Sequence, residues 1–491
     1  MKPEYFYPLS IAFCLLAVIV AYFLNNPMKH GGWFMARRFI NWFPLGMTYA
    51  FLCMGRYNII VAKNALGALM SKEDLGLIFG AGTLVYTLSF LVNGPLIDRK
   101  LGGKTGMIIS AVGASLANVA LGIFTWLIVA RHLKVNLAAG YSLLYALNMY
   151  FQSFGSMSII KVKAYWFHVR ERGVFGAIFG SLISIGVYFA FDWGGAIIDL
   201  TRATATGPLR TLFASAGRPA VDATWAIFYI PAAILIFWTL LDLWLIKDSP
   251  EEAGLPDFDT HDASSGQMHI QFSVLDLLKK VFASPLMLLI ACVELTGGVF
   301  RYSMTEWYPI FGNDVKQAGA EYISQHWGWF TAVFGIVGGF SGGLISDKLF
   351  HSRRGPPTAL LCGLAFLIAA LMAVFLYSQP VIVGWAAVFI VMVSIGITSL
   401  MSGTAATDFG GRKATATCMG IVNGFAYLGS SLESICLGFL LASKNGVTHW
   451  IWMPVFVMPF AIIGAAISVK IWHELPLATR KYIAEVEQKK S

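Results

Sequence analysis

Gly94-Pro95-Leu96-Ile97-Asp98-Arg99 and Gly343-Leu344-Ile345-Ser346-Asp347-Lys348 are two versions of one loop. In each, a glycine stands four positions before an aspartate, and a basic residue follows the acid. Upstream of each loop lies an arginine followed by a tyrosine, Arg56-Tyr57 and Arg301-Tyr302, with an arginine-to-aspartate gap of about forty-five residues both times. That gap holds two helices and a short turn. Downstream come Arg170-Glu171-Arg172-Gly173 in one copy and Gly411-Arg412-Lys413 in the other. The chain therefore reads as two copies of one unit, and a parallel repeat of helical spans places a site at the midplane between the copies.

The regions around these motifs are apolar in runs of ~20 residues, the length that crosses ~30 Å of hydrocarbon. Of the 491 residues 57% are hydrophobic and 12% charged, a balance that belongs to a polytopic membrane protein. About thirteen spans are expected, as an all-α membrane protein of two pseudo-symmetric six-helix bundles plus one extra N-terminal transmembrane helix. The boundaries read as the extra helix in 1–30, the first bundle in 31–246, a cytoplasmic linker with an interfacial segment (Val274 to Phe282) in 247–282, the second bundle in 283–472, and a cytoplasmic tail in 473–491.

The formal net charge of +9 does not indicate nucleic-acid binding. Its excess lies in short loops such as Arg99-Lys100, Lys161 to Arg172 and Lys348 to Arg354, alternating with less basic loops as the positive-inside rule requires. The same rule puts the C-terminus in the cytoplasm and the N-terminus outside, in an inner or plasma membrane. The six cysteines show no metal or disulfide spacing, and there is no phosphate-binding loop of the nucleotide-hydrolysing kind. No enzyme activity, metal or cofactor is expected. The extra first helix offers a surface for a membrane partner.

Arg56 and Arg301 carry the functional reading. A charge at mid-bilayer costs roughly 3 kcal/mol, so an intramembrane arginine faces a wet cavity and has something to hold. Two guanidinium forks aimed at one cavity suit an anion, above all a phosphate. At ~8 Å separation and an effective dielectric near 20 they repel by about 2 kcal/mol, and a phosphate between them reverses the sign. The competing reading is a structural pair neutralised by acids. Glu294, seven residues before Arg301, is the candidate acid. Tyr49, Tyr302, Asn58 and Gln152 are expected around the substrate, with Tyr57 and Asn148 behind them, against ordinary core packing as the alternative. Glu306 is expected to pair locally. Glu433 has three open readings: a proton-coupling site, a salt-bridge partner for Lys63 or an arginine, or a ligand for a substrate amine. Gly94, Asp98, Arg99, Arg172, Asp347 and Lys348 are expected to gate. Asp98 would cap a helix or pair with Arg99, Lys104 or Arg172, and Asp347 would pair with Arg412 or Lys413.

The paired loops resemble the signature of the major facilitator superfamily. Further stretches resemble its organophosphate:phosphate antiporters: Ser71-Lys72-Glu73-Asp74-Leu75-Gly76, Phe151-Gln152 with Gly155, Arg170-Glu171-Arg172-Gly173, Asp248-Ser249-Pro250 with Gly254-Leu255-Pro256, Arg301-Tyr302 with Trp307, and Ser346-Asp347-Lys348 with Arg354-Gly355. The resemblance implies that Arg56 and Arg301 are phosphate ligands and that a small phosphorylated substrate exchanges for inorganic phosphate by alternating access. Three departures stand out. Phe90 occupies the place of the family's span-two lysine, Ile183 that of a span-five histidine, and Ser156-Met157-Ser158 that of a span-four glycine-proline pair. A less negative or amine-bearing substrate would suit these changes. The alternatives are a non-transporting sensor or accessory subunit, and a proton-coupled carrier of a non-phosphate anion.

Overall fold

The computed structural model describes residues 3–24, 26–168, 171–214, 221–256, 260, 279, 282–316, 318–350, 353–443 and 446–474; side chains are not described at 3–5, 172–177, 318, 343, 344, 347, 402–416, 418 and 419. The expected interfacial segment (Val274 to Phe282, largely), the tail beyond residue 474, and the side chains of Arg172, Asp347, Arg412 and Lys413 lie outside the described set.

In chain order the described helices are α1 Pro3–Leu24, α2 Gly32–Leu66, α3 Lys72–Leu96, α4 Gly102–Arg131, α5 Leu137–Trp166, α6 Arg172–Tyr188, α7 Gly194–Leu200, α8 Pro208–Phe213, α9 Ala226–Leu245, α10 Pro285–Val315, α11 Ala318–Gln325, α12 Trp327–Leu349, α13 Gly355–Phe375, α14 Pro380–Leu440 and α15 Trp452–Lys470. Helix α14 carries two spans. Ile397 lies beside Gly297 of α10 and Ala426 lies beside Gly298, so the chain has reversed direction between them. With α14 counted twice, α1 leads six long helices (α2 to α6 and α9) and then six more (α10, α12, α13, both arms of α14, α15).

Sequence chemistry accounts for the helix ends that matter here. Ser71-Lys72-Glu73-Asp74 is a reciprocal cap: Asp74 N–H donates to Ser71 Oγ at 3.0 Å and Ser71 N–H donates to Asp74 Oδ2 at 2.8 Å, which starts α3. Asp248 of the Asp-Ser-Pro stretch caps the start of α4 from a distant point of the chain, accepting from the Lys104 N–H at 2.7 Å. A Cβ on Gly102 would collide with the Asp248 carboxylate, and its φ of 72° is left-handed, so glycine is required there on two counts.

Helices α2 and α10 are central. Every residue from Pro44 to Ile60 of α2 is buried. On α10 every residue from Thr296 to Gly312 is buried except Arg301. The two halves meet where α3 lies against the returning arm of α14. A Cβ on Gly76 would fall 2.8 Å from the Gly438 Cα, so the backbones approach as only small residues allow.

The first helix bridges the halves. At its start, Tyr7 OH lies 2.6 Å from Tyr322 OH, its ring stacks on His326 at 4.0 Å, and Ser10 accepts from the Trp329 indole N–H at 2.7 Å; these three partners lie in or beside α11 and α12. At its other end, Tyr22 OH donates to the Met35 carbonyl at 2.8 Å and accepts from Arg38 Nε at 3.0 Å, both on α2. Its outer face, with Phe13 and Leu16, is exposed and apolar, as a lipid-facing surface is.

Candidate functional site

Arg56 sits at the middle of α2 in a cage of neutral acceptors. Its Nε donates to Gln152 Oε1 at 2.9 Å, Nη2 to the Tyr86 hydroxyl at 3.1 Å, and Nη1 to the Tyr427 hydroxyl. The guanidinium also lies over the Tyr86 ring at 4.8 Å and the Tyr427 ring at 5.5 Å. Each hydrogen bond to a charged group contributes about 1.5–3 kcal/mol, which offsets a burial cost of several kcal/mol. Tyr427 belongs to the second half, so this cage closes across the interface. The backbone around Arg56 is fixed as well. Tyr145 OH donates to the Arg56 carbonyl at 3.0 Å, and Asn148 Nδ2 donates to the Gly55 carbonyl at 2.9 Å.

Arg301 differs. Among the described residues it makes no ion pair and no hydrogen bond from its guanidinium, and its nearest aromatic face is Tyr302 at 5.7 Å. It keeps accessible surface in the one gap of an otherwise buried stretch, as a side chain lining an internal cavity does. Cys53 and Tyr427 lie within electrostatic reach of both Arg56 and Arg301, which brings the two cations to one region between the halves. No carboxylate lies within 4.0 Å of either among the described residues.

The other expected residues divide. Tyr49 is buried within reach of Arg56, Tyr86 and Tyr427. Tyr302 accepts from Tyr57 OH at 3.4 Å across the interface, and Gln152 holds Arg56. Asn58 is turned away, donating to Asn118 Oδ1 at 2.7 Å and to the Ile227 carbonyl inside the first bundle, because its position faces α4 and α9 rather than the second half. Glu294 accepts from Thr398 on α14 at 3.3 Å and forms no ion pair with Arg301, which removes the neutralised-pair reading for that acid. Lys63 donates to the Gly67 carbonyl at 3.2 Å at the end of α2, so it does not reach Glu433. Glu433 is paired instead with Glu306, the two carboxyls meeting beside Ser434. Phe90, at the place of the missing lysine, packs on Tyr86 at 4.6 Å and on Tyr427 at 6.3 Å, backing the rings that hold Arg56. Nothing in the spacing of Tyr86 or Tyr427 marked them as holders of Arg56, and Glu306, expected to pair locally, meets Ser434 and Glu433 of α14 instead.

Contacts between the halves lie on both sides of the arginines. At one end Asp98 accepts from Lys161 Nζ at 3.0 Å in its own half, and from Thr417 N–H at 3.0 Å and Thr417 Oγ1 at 2.8 Å in the other. Of the expected partners, Arg99 and Lys104 give way to Lys161, and the side chain of Arg172 lies outside the described residues. The residues from Ile97 to Leu101 form a π-helical turn that carries Asp98 toward α5 while Arg99 and Lys100 are exposed, and Lys104 Nζ is taken by the Leu243 carbonyl at 2.7 Å. Gly94 is buried on α3 and Lys348 is exposed at the end of α12. At the opposite end Lys72 pairs with Asp314 at 2.9 Å, and Asp192 accepts from Trp329 N–H at 3.0 Å. The central residues are thus enclosed from both directions.

Residues 45–434 match the family described as "Major Facilitator Superfamily". The chain belongs to that superfamily and is an integral, multi-pass membrane protein of a transporter family rather than an enzyme. It is 26% identical over 393 residues to a "Glycerol-3-phosphate transporter" of Bacillus subtilis, covering 76% of this chain and 79% of the relative. It is 24% identical over 444 residues to the "Membrane sensor protein UhpC" of Salmonella typhimurium, covering 88% and 89%. Among solved structures, a bacterial homologue of the lysosomal transporter Spinster, inward-facing and occupied, aligns with a TM-score of 0.63 at 17% identity, over 87% of this chain and 95% of that one. The E. coli fucose:proton symporter aligns with a TM-score of 0.55 at 12% identity, over 87% and 97%; both likenesses concern the fold.

Proposed function

We infer that this protein moves a small organophosphate across the membrane by alternating access, in exchange for inorganic phosphate. One observation carries the reading: two guanidiniums approach one enclosed region from opposite halves, and Arg301 has no protein partner among the described residues to neutralise it. A phosphate taken between them turns repulsion into attraction across the interface. A loaded carrier then re-forms its inter-half contacts readily and an empty one does not, which is the asymmetry that exchange requires. The chain's N-terminus lies outside and its C-terminus in the cytoplasm, so the Asp98–Thr417 contact is the cytoplasmic gate and Lys72–Asp314 the outer one. The name of the glycerol-3-phosphate transporter relative supports a phosphorylated substrate.

The test is counterflow in proteoliposomes loaded with inorganic phosphate. Uptake of a labelled phosphate ester should require internal phosphate and vanish with Arg301→Lys. Uptake that runs without internal phosphate and follows a pH gradient would overturn exchange in favour of proton coupling. Binding without flux would favour a sensor, the second reading, which the similarity to UhpC over 88% of the chain keeps in view.

A further inference from the structure

Glu306 and Glu433 form a buried carboxyl pair that the phosphate reading does not use. Glu306 lies five residues beyond Arg301, a rise of ~7.5 Å along α10. Glu433 comes from the returning arm of α14. Ser434 Oγ donates to Glu306 Oε2 at 2.6 Å and lies 3.1 Å from Glu433 Oε1, and Ser303 Oγ donates to Glu433 Oε2 at 3.4 Å. Both side chains are 0% exposed. Among the described residues no lysine, arginine or histidine lies within 4.0 Å of either.

Two further observations point to a missing guest. Glu306 Oε1 is fully buried and, apart from the carboxyl of Glu433, has no hydrogen-bond partner among the described residues, while the Trp307 indole N–H lies against Glu433. Aromatic rings also lie near both the carboxyls and the arginines. Tyr145 lies within electrostatic reach of Glu306 while its hydroxyl holds the Arg56 carbonyl. Phe79 packs on Tyr145 at 5.6 Å and on Tyr302 at 6.1 Å, and Tyr57 lies 6.5 Å from Tyr302. Uncompensated buried carboxyls beside aromatic faces are the two components of a site for an organic cation.

We propose that the substrate is a zwitterionic phosphate ester: its phosphate is held by Arg56 and Arg301, and an ammonium at its other end lies against Glu306 and Glu433 within the rings of Tyr57, Phe79, Tyr145 and Tyr302. The proposal rests on the phosphate reading and names the substrate class. A neutral polyol tail would leave the carboxyl pair without a counter-charge. A proton alone would satisfy the pair but has no use for the aromatic wall.

The experiment compares ligands matched in size against the purified full-length chain by thermal shift and by competition for counterflow. Phosphocholine and phosphoethanolamine should bind about tenfold or more tightly than glycerol 3-phosphate, a difference that desolvated cation–π and charge contacts supply. E306Q and E433Q, singly and together, should bring that ratio toward unity. Equal affinities in the unaltered protein overturn the proposal, and that comparison does not depend on any variant folding. A preference that survives the double variant overturns it too. So does glycerol phosphate uptake driven by a pH gradient and uncoupled from it by E433Q, which would make the pair a proton carrier. If choline binds in a Glu433-dependent way and no phosphate ester binds, the ammonium site stands and the phosphate reading falls. If glycerol phosphate exchanges and ammonium esters do not, the reverse holds.

Discussion

Arg56 and Arg301 occupy equivalent places in two copies of one repeat, yet their surroundings differ in kind. Arg56 is held on three sides by Gln152, Tyr86 and Tyr427, whereas Arg301, among the described residues, has only a ring face at 5.7 Å. Each half carries the cation, but not the same neighbours around it. The first copy supplies a positioned charge that also ties the halves together through Tyr427. The second supplies a charge whose hydrogen bonds remain available for a guest.

The comparison is broken most sharply by transport measurements. Arg301→Lys should abolish counterflow, a loss of about a hundredfold or more from a forfeited two-pronged contact to phosphate, while leaving thermal unfolding in detergent close to that of the parent chain. Arg56→Lys should lose both, because an ammonium cannot reach three acceptors at once; two forfeited hydrogen bonds to a charge amount to about 3 kcal/mol or more. Equal stabilities for the two variants would erase the distinction. Next in size is Tyr427→Phe, which removes one acceptor from Arg56 and should reduce stability by roughly 1.5–3 kcal/mol while weakening substrate affinity. A variant as stable as its parent would mean that the cage does not hold Arg56.

A smaller effect belongs to the gate. Asp98→Asn keeps the shape but weakens the pairing with Lys161 and the charged acceptor for Thr417, so a cysteine placed near the Asp98 end should react several-fold faster with a water-soluble thiol reagent. The smallest effect is in acid. Outside the spans, burial pushes the Glu171 carboxyl up, but hydrogen bonds from His30 and Arg38 overrule it and hold the group down at about 2. A depressed carboxylate stabilises the fold fully above its ordinary value of 4.5 and loses that contribution as pH falls toward about 2. The thermal unfolding temperature should therefore fall in that window for the parent chain and fall less for Glu171→Gln.

What was legible in the sequence follows from cost. Arginines in apolar runs are expensive enough to be conspicuous, and a repeated glycine-to-aspartate loop is long enough to exceed chance. The thirteen spans and the two cations were therefore readable. Pairings between spans distant in the chain were not. Tyr86 on the second span, Tyr427 and Glu433 on the eleventh and Glu306 on the seventh meet only through the close packing of α3, α10 and α14, and no spacing along the chain encodes that meeting. Lys161 displaced Arg99 and Lys104 as the partner of Asp98 because five residues of π-helix reorient the loop, a local geometry without a composition signal. Asn58 and Lys63 were assigned by helical distance from Arg56, and distance alone does not give the face.

The leading helix has a mechanical consequence. It is fastened near Tyr7 to one half of the molecule and near Tyr22 to the other. Any change in tilt between those halves must slide one fastening or lean the whole rod in the bilayer. A stiff lever spanning both platforms follows their angle, so a fluorophore attached beside Tyr7 would register a change in that angle from outside the pore.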